Sequence, residues 1–223
     1  FFNIKLYILI IMKSSISFKK YLLLYLFCTS IVFSSRYFID TEKSNVIWIG
    51  RKVSGEHHGV INIKRGYVDI DKKSIVGGEI VIDMKSIQVV DMSDKYNRKL
   101  EKHLKNSDFF DVDLFPESTF KIKKNHQLIT DENIMFQGDL TIKDTTIISS
   151  IPSKILVEDN IVKAIGIVDI DRTLYGITYG SGTFFEDLTD KAIDDKFTLK
   201  FKIFADRNFL SKPLIEEKKQ NDK

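Results

Sequence analysis

Cysteine is almost absent. Cys28 is the one cysteine in 223 residues, and it lies in an N-terminal apolar run that reads as a leader. A chain without that leader has no thiol, which excludes disulfides, cysteine nucleophiles and cysteine metal ligands. Charge of one sign is lacking too. The 34 Lys and Arg face 31 Asp and Glu, a net of +3, too small and too mixed for a nucleic-acid partner. The four histidines are scattered, with no H-E-x-x-H and no His/Asp/Glu set at ligand spacing, so neither a metal nor a cofactor is expected. G-x-S-x-G, a phosphate loop and a dinucleotide fingerprint are all missing. Gly180-Ser181-Gly182 lacks a strand-to-helix setting, and Asp108, Asp111 and Asp113 cluster among aromatics, where they cap and solvate a turn. A hydrolase working near Ser181 or Asp111 is the least favoured reading, and no enzymatic activity is expected.

Long apolar runs are few. Tyr21 to Phe33 is one, preceded by Lys13, Lys19 and Lys20 and followed by Ser34 and Ser35. It is too short for a comfortable membrane span and has the layout of a secretory signal. Residues 1–35 are therefore expected to be a leader, with 12–34 as its core and Met12 a better start than Phe1. The mature protein is then periplasmic or secreted and does not span a membrane. An uncleaved N-terminal anchor is the alternative. A lipid-modified Cys28 is disfavoured by the bulky Phe27 before it. Residues 36–211 form the expected domain, and 212–223 a charged tail.

What the chain does have is alternation. Val46–Gly50, Gly59–Ile70, Ile75–Met84, Phe120–Ile129, Ile134–Ile142, Thr146–Val157, Ile161–Ile170 and Phe197–Ala205 place apolar residues at every second position, separated by short turns. Pro152 marks its strand as an edge or bulged strand. Eight long strands without crossover spacing predict an all-β protein, an eight-stranded antiparallel barrel, with a two-sheet sandwich as competitor. Phe is abundant at 17 against a single Trp, from a large apolar interior or from an A/T-rich genome.

One stretch departs from this pattern. Ser93 can cap a helix over 93–107 that presents Tyr96, Leu100 and Leu104 on one face. The segment from His103 to Phe120 then passes through an aromatic and acidic turn, with Pro116 bending the chain into the next strand. The single helix flanks one opening of the barrel.

Several motifs taken together resemble the YceI-like, polyisoprenoid-binding family of lipocalin-like barrels. They are Trp48-Ile49-Gly50, Gly55 to Gly59 (GEHHG), Gly78 to Ile87 (GEIVIDMKSI), His103 to Phe110 (HLKNSDFF), Pro116 to Phe120 (PESTF), Gly138 to Lys143 (GDLTIK) and Ile170 to Thr173 (IDRT). The resemblance implies a barrel whose lumen holds a long isoprenoid or other lipid, and no chemical step. The alternating pattern by itself names the inward candidates: Trp48, Ile61, Ile63, Ile80, Ile82, Phe120, Ile122, Phe136, Leu140, Phe197, Leu199, Phe201 and Ile203. They either line a ligand tunnel or fill the barrel as a solid core, which would leave a structural or interaction protein; the resemblance favours the tunnel. A homodimer is an open option.

Of the polar residues, His57 and Arg172 are the candidates for a head group at the mouth. His57 sits between Gly55 and Gly59 and can equally be a turn histidine; His58 should face the other way. Arg172 can bind an anion through its fork of donors. Its favoured role is structural, paired with Asp171, Asp108 or Asp111. His103 should pack against the barrel end, His126 should sit in an exposed turn, and Asp83 should cap the turn that ends its strand.

Overall fold

Among the described residues, nine antiparallel strands and one α-helix follow in the order β1 (Ser35–Ile39), β2 (Asn45–Lys52), β3 (Gly55–Asp71), β4 (Ser74–Val89), α1 (Asp94–Lys105), β5 (Glu117–Ile122), β6 (Ile134–Ile142), β7 (Thr145–Glu158), β8 (Ile161–Asp171) and β9 (Lys196–Asp206). This computed structural model describes residues 34–72, 74–123, 133–186 and 188–209, all within the unit Ser34–Lys223. The expected leader, His126 and the tail from 212 lie outside the described residues.

Each strand pairs with the next from β2 to β9, and β9 pairs back onto β2 through Val46↔Phe201 and Trp48↔Leu199. The sheet is therefore a closed barrel, and the sandwich alternative falls. The segment 36–40, expected to be a lead-in, is strand β1. It continues the line of β2: β1 pairs with Tyr67–Ile70 of β3 and Ala205–Asp206 of β9, whereas β2 pairs with Gly55–Ile61 and Thr198–Lys202. Eight positions around the barrel are thus filled by nine strands, because one stave is broken at Asp40. The Asp40 carboxylate accepts the N–H groups of Glu42 and Lys43, both at 3.1 Å, and pairs with the Lys43 ammonium at 2.8 Å. Such an Asx turn replaces ladder bonds locally.

The β3–β4 ladder departs from simple alternation. Ile63 faces Ile82 but Arg65 faces Val81, so Lys64 is an extra residue that switches the inward phase of β3. Ile61 and Ile63 point inward before it, and Val68 and Ile70 after it. Val60↔Gln88 is followed by Asn62↔Asp83, so the four residues Met84–Ile87 bulge opposite Ile61. Asp83 therefore does not end its strand. Its carboxylate accepts the Lys85 N–H, its carbonyl accepts the Ser86 hydroxyl, and β4 resumes to Val89.

The cap expected of Ser93 is made by its backbone: the carbonyl accepts from Tyr96 and Asn97, and the side chain makes no cap bond. Tyr96 is 58% exposed; the inward stripe is instead Asn97, Leu100, Glu101 and Leu104. Two of these are polar because they moor the helix. Glu101 accepts the Val89 N–H at 2.9 Å and Asn97 the Met92 N–H at 3.1 Å. In the following turn Asn106 accepts the N–H groups of Asp108, Phe109 and Asp111. Asp111 takes a left-handed φ of 48°, which aspartate tolerates better than most residues. That geometry turns Phe109 and Val112 into the core, each contributing roughly 1.5–3 kcal/mol of burial.

On the outer face Glu117 meets Lys64 at 2.8 Å and Arg65 at 2.9 Å. The Arg65 and then Lys64 hydrogen bonds hold its carboxyl down at about 2. A depressed carboxylate adds stability above its ordinary pKa and loses it as pH falls through the folded value. Glu117→Gln should therefore flatten the decline in stability between about pH 4.5 and 2, by on the order of 1 kcal/mol after solvent screening. An unchanged acid limb in urea titrations would refute this.

Candidate functional site

Directly opposed residues in a ladder share a face, so the pairings trace the inner wall all the way round. Trp48 opposes Gly59 and Leu199; Val46 opposes Ile61 and Phe201. The inner row continues through Phe201↔Gly166 and Ile203↔Ala164 into β8, and through Gly166↔Ser153 and Ala164↔Ile155 into β7. It returns by Ile151↔Phe136, Ile147↔Leu140, Leu140↔Phe120, Phe120↔Ile80 and Ile82↔Ile63. All thirteen inward candidates stand on this wall. Val81, 1% exposed, lies on the opposite face, with Arg65 and Thr119 beside it.

The wall is unevenly filled. Ile61, Ile63, Phe120, Phe136, Leu140 and Ile203 are buried, whereas Trp48, Ile80, Ile82, Ile122, Phe197, Leu199 and Phe201 keep solvent contact although they face inward. Three aromatic rings lie over glycines. A Cβ on Gly59 would stand 2.7 Å from the Trp48 ring, one on Gly138 2.6 Å from Phe120, and one on Gly166 2.4 Å from Phe201. Ring-over-glycine pairs let large side chains lie flat along the wall instead of across the lumen.

Residues not singled out from the sequence complete the wall: Val46, Ile147, Ile151, Ile155, Val157 and Val168, with Ser118, Ser149 and Ser153 among them. The signal for β7 was present, since odd positions from 147 to 157 read Ile, Ser, Ile, Ser, Ile, Val. The serines are satisfied locally. Ser118 donates to the Thr141 carbonyl at 2.6 Å, and Ser149 hydrogen-bonds the buried phenol of Tyr175, whose pKa burial pushes up.

One end is covered by α1, the turn after it, and the connection from β8 to β9. Phe110 meets Phe197 edge-on at 6.2 Å, and His103 stacks edge-on against Phe109 and Tyr179 at 4.9 and 4.7 Å. The connection is clamped by Arg172, 4% exposed. Its guanidinium donates to the carbonyls of Asp194 at 3.0 Å, Ile177 at 2.7 Å and Ile193 at 3.1 Å. Burial lowers its pKa, opposed by Asp195, Asp171 and Asp194. Its carboxylate neighbour is Asp195 at 3.8 Å, not Asp108 or Asp111. With these donors on backbone carbonyls, Arg172 ties the connection together. Ser181 is fully buried; its hydroxyl and that of Thr183 hold Asp195 below the ordinary carboxylate range. The Ser181 hydroxyl also accepts the Thr183 N–H at 3.2 Å.

His57 opposes Gly50 and follows the inner parity of Gly59 and Trp48 near the β2–β3 turn, where its Nδ1 lies 2.9 Å from Asp91. His58, one residue on, is exposed on the other face. His57 thus has a carboxylate partner at the covered end of the barrel. Asp91 Oδ1 is buried without a partner among the described residues. No group of three metal-ligating side chains and no helix long and apolar enough to cross a membrane occurs among the described residues.

The YceI-like domain model matches residues 37–205. BcnA of Burkholderia cenocepacia is similar in structure, with a TM-score of 0.60 at 20% identity over 75% of this chain and 99% of that one. So is a polyisoprenoid-binding domain from Saccharophagus degradans implicated in plant cell wall breakdown, with a TM-score of 0.58 at 10% identity over 78% and 99%. The Campylobacter jejuni YCEI protein gives 0.50 at 20% identity over 66% and 83%. Against curated proteins the chain has no significant match. At these identities the structures establish a shared fold.

Proposed function

The chain belongs to the YceI-like domain family, and from that premise we propose that it holds a long apolar lipid, of polyisoprenoid or fatty-chain type, in the barrel lumen for transport or storage. The observation that supports this reading is a closed, largely apolar wall on which several inward-facing side chains are only partly buried. Phe197, Leu199 and Phe201 on one side, and Ile80, Ile82 and Ile122 on another, face inward and remain accessible. Each methylene that such a wall removes from water contributes about 0.8 kcal/mol, so a chain of about twenty carbons outweighs a binding cost of some 4–15 kcal/mol. An anionic or neutral head group would sit near His57. The periplasmic or secreted location follows from the leader-like N-terminus and belongs to the same proposal. No chemical step is part of it.

Lipid extraction and native mass spectrometry of protein from its own host should give a stoichiometric lipid, and a fluorescent prenyl probe should bind the emptied barrel. Phe201→Glu should weaken that probe about tenfold or more, because a carboxylate in the lumen replaces an aromatic contact. Lys202→Glu, one residue away on the outer face, should change it less than about twofold. Circular dichroism of both variants checks the fold. A barrel that yields no lipid and takes up no probe would favour the filled-core interaction protein.

A further inference from the structure

The β7–β8 ladder is incomplete. It runs from Glu158↔Ile161 to Ser153↔Gly166 and stops. Thr145–Pro152 is then paired only with β6, and Ile167–Asp171 only with β9. Pro152 stands where the parting begins and has no N–H to offer β8. A groove of about 440 Å³ lies here. Its lining mixes the two faces of the barrel: Ser153, Gly166 and Phe201 belong to the inner wall, and Lys154, Ile165 and Lys200 to the outer. Inner residues along the parting, Ile147, Ile151 and Val168, are only partly buried.

The outer surface around the groove has its own chemistry. Ile148, Ile165 and Ile167 are 68%, 50% and 57% exposed. On that face Ile165 is opposed by Lys154 on one side and Lys202 on the other, and Ile167 by Lys200. None of these lysines has an ion pair among the described residues. Among the described residues, Asp169 accepts the Thr198 hydroxyl and Glu158 meets Lys163 at 3.4 Å. Exposed isoleucines ringed by lysine ammonium groups match a bilayer surface, with phosphates for the lysines and acyl chains for the isoleucines.

We propose that the parting between β7 and β8 is a side portal, docked by its lysine rim on an anionic membrane, through which a lipid chain passes between the bilayer and the lumen. This rests on the lumen-binding reading above and adds the route and the donor. A chain entering here crosses Gly166, where the absence of a side chain leaves the Phe201 ring as the inner gatepost.

The test is the rate at which a fluorescent prenyl probe moves from vesicles to the full-length protein. Vesicles of phosphatidylcholine with a third phosphatidylglycerol should donate faster than phosphatidylcholine alone. Lys154→Gln/Lys200→Gln should slow the anionic donor about thirtyfold and erase the difference between the two vesicles. Its capacity for probe delivered from detergent should not change. In a Cys28→Ser background, a bulky maleimide on Ile167→Cys should slow transfer about tenfold or more, and the same label on Lys121→Cys, across the barrel, should not. Wild-type rates for the double lysine variant, or equal effects of the two labels, would overturn the portal while leaving lumen binding intact. A wild-type protein that takes no probe even from detergent would overturn both.

Discussion

Gly59→Ala should be among the most damaging substitutions in the barrel. A Cβ there would lie 1.8 Å from the Gln88 carbonyl oxygen and 2.7 Å from Cζ2 of Trp48. The first contact is with backbone, which no change of rotamer relieves. The same carbonyl accepts the Trp48 indole N–H at 3.1 Å, so separating β3 from β4 also breaks that bond. Overpacking of this kind costs about 3 kcal/mol or more. For a domain of this size that lowers Tm by roughly 6–12 °C. Gly77→Ala is the control: nothing lies within 4 Å of its added Cβ, and its effect should stay within about 0.5 kcal/mol. Trp48 is the one tryptophan, so thermal melts followed by its fluorescence read the local packing directly. A Gly59→Ala melt within a degree of wild type would mean that the two strands do not approach so closely.

Arg172→Met should loosen the connection between β8 and β9. It removes three donors from the carbonyls of Ile177, Ile193 and Asp194, which then sit unpaired near the buried Tyr175 and Ile177. The expected loss is about 3–5 kcal/mol, as for other buried charges cut out of their networks. Arg172→Lys should recover less than half, since one ammonium cannot reproduce the three-way fork. Urea unfolding gives the total. Hydrogen exchange tells local from global loss: the Ile177 and Arg172 amides, bonded to Arg172 and Asp195 carbonyls, should lose protection first. Full protection combined with lost affinity for an anionic lipid would mean that Arg172 serves the head group after all.

The inner wall was legible because strand alternation is local. A strand turns each side chain through half a revolution, so Phe197, Leu199, Phe201 and Ile203 share a face wherever that strand lies in the fold. The same rule placed His57 and His58 on opposite faces. It failed for Val68 and Ile70, because Lys64 inserts one residue and reverses the phase. The helical-face reading failed for Tyr96 because α1 is moored by Glu101 and Asn97, polar residues that a hydrophobic-face argument ignores. Asp83 looked like a strand end because the bulge after it uses the same side chain-to-backbone bonds as a turn.

By itself, then, the sequence determined eight of the nine strands, the inward face of most of them, the place of the helix and the family to which these motifs belong. These follow from steric and solvation preferences of residues a few positions apart. Tertiary structure alone decided that the sheet closes through Val46↔Phe201, that one stave is shared by two strands, that β7 and β8 part above Ser153, and that Arg172 grips three carbonyls 5, 21 and 22 residues along the chain. Those outcomes depend on which distant groups compete for the same hydrogen bonds and the same space, and no local pattern records the result of that competition.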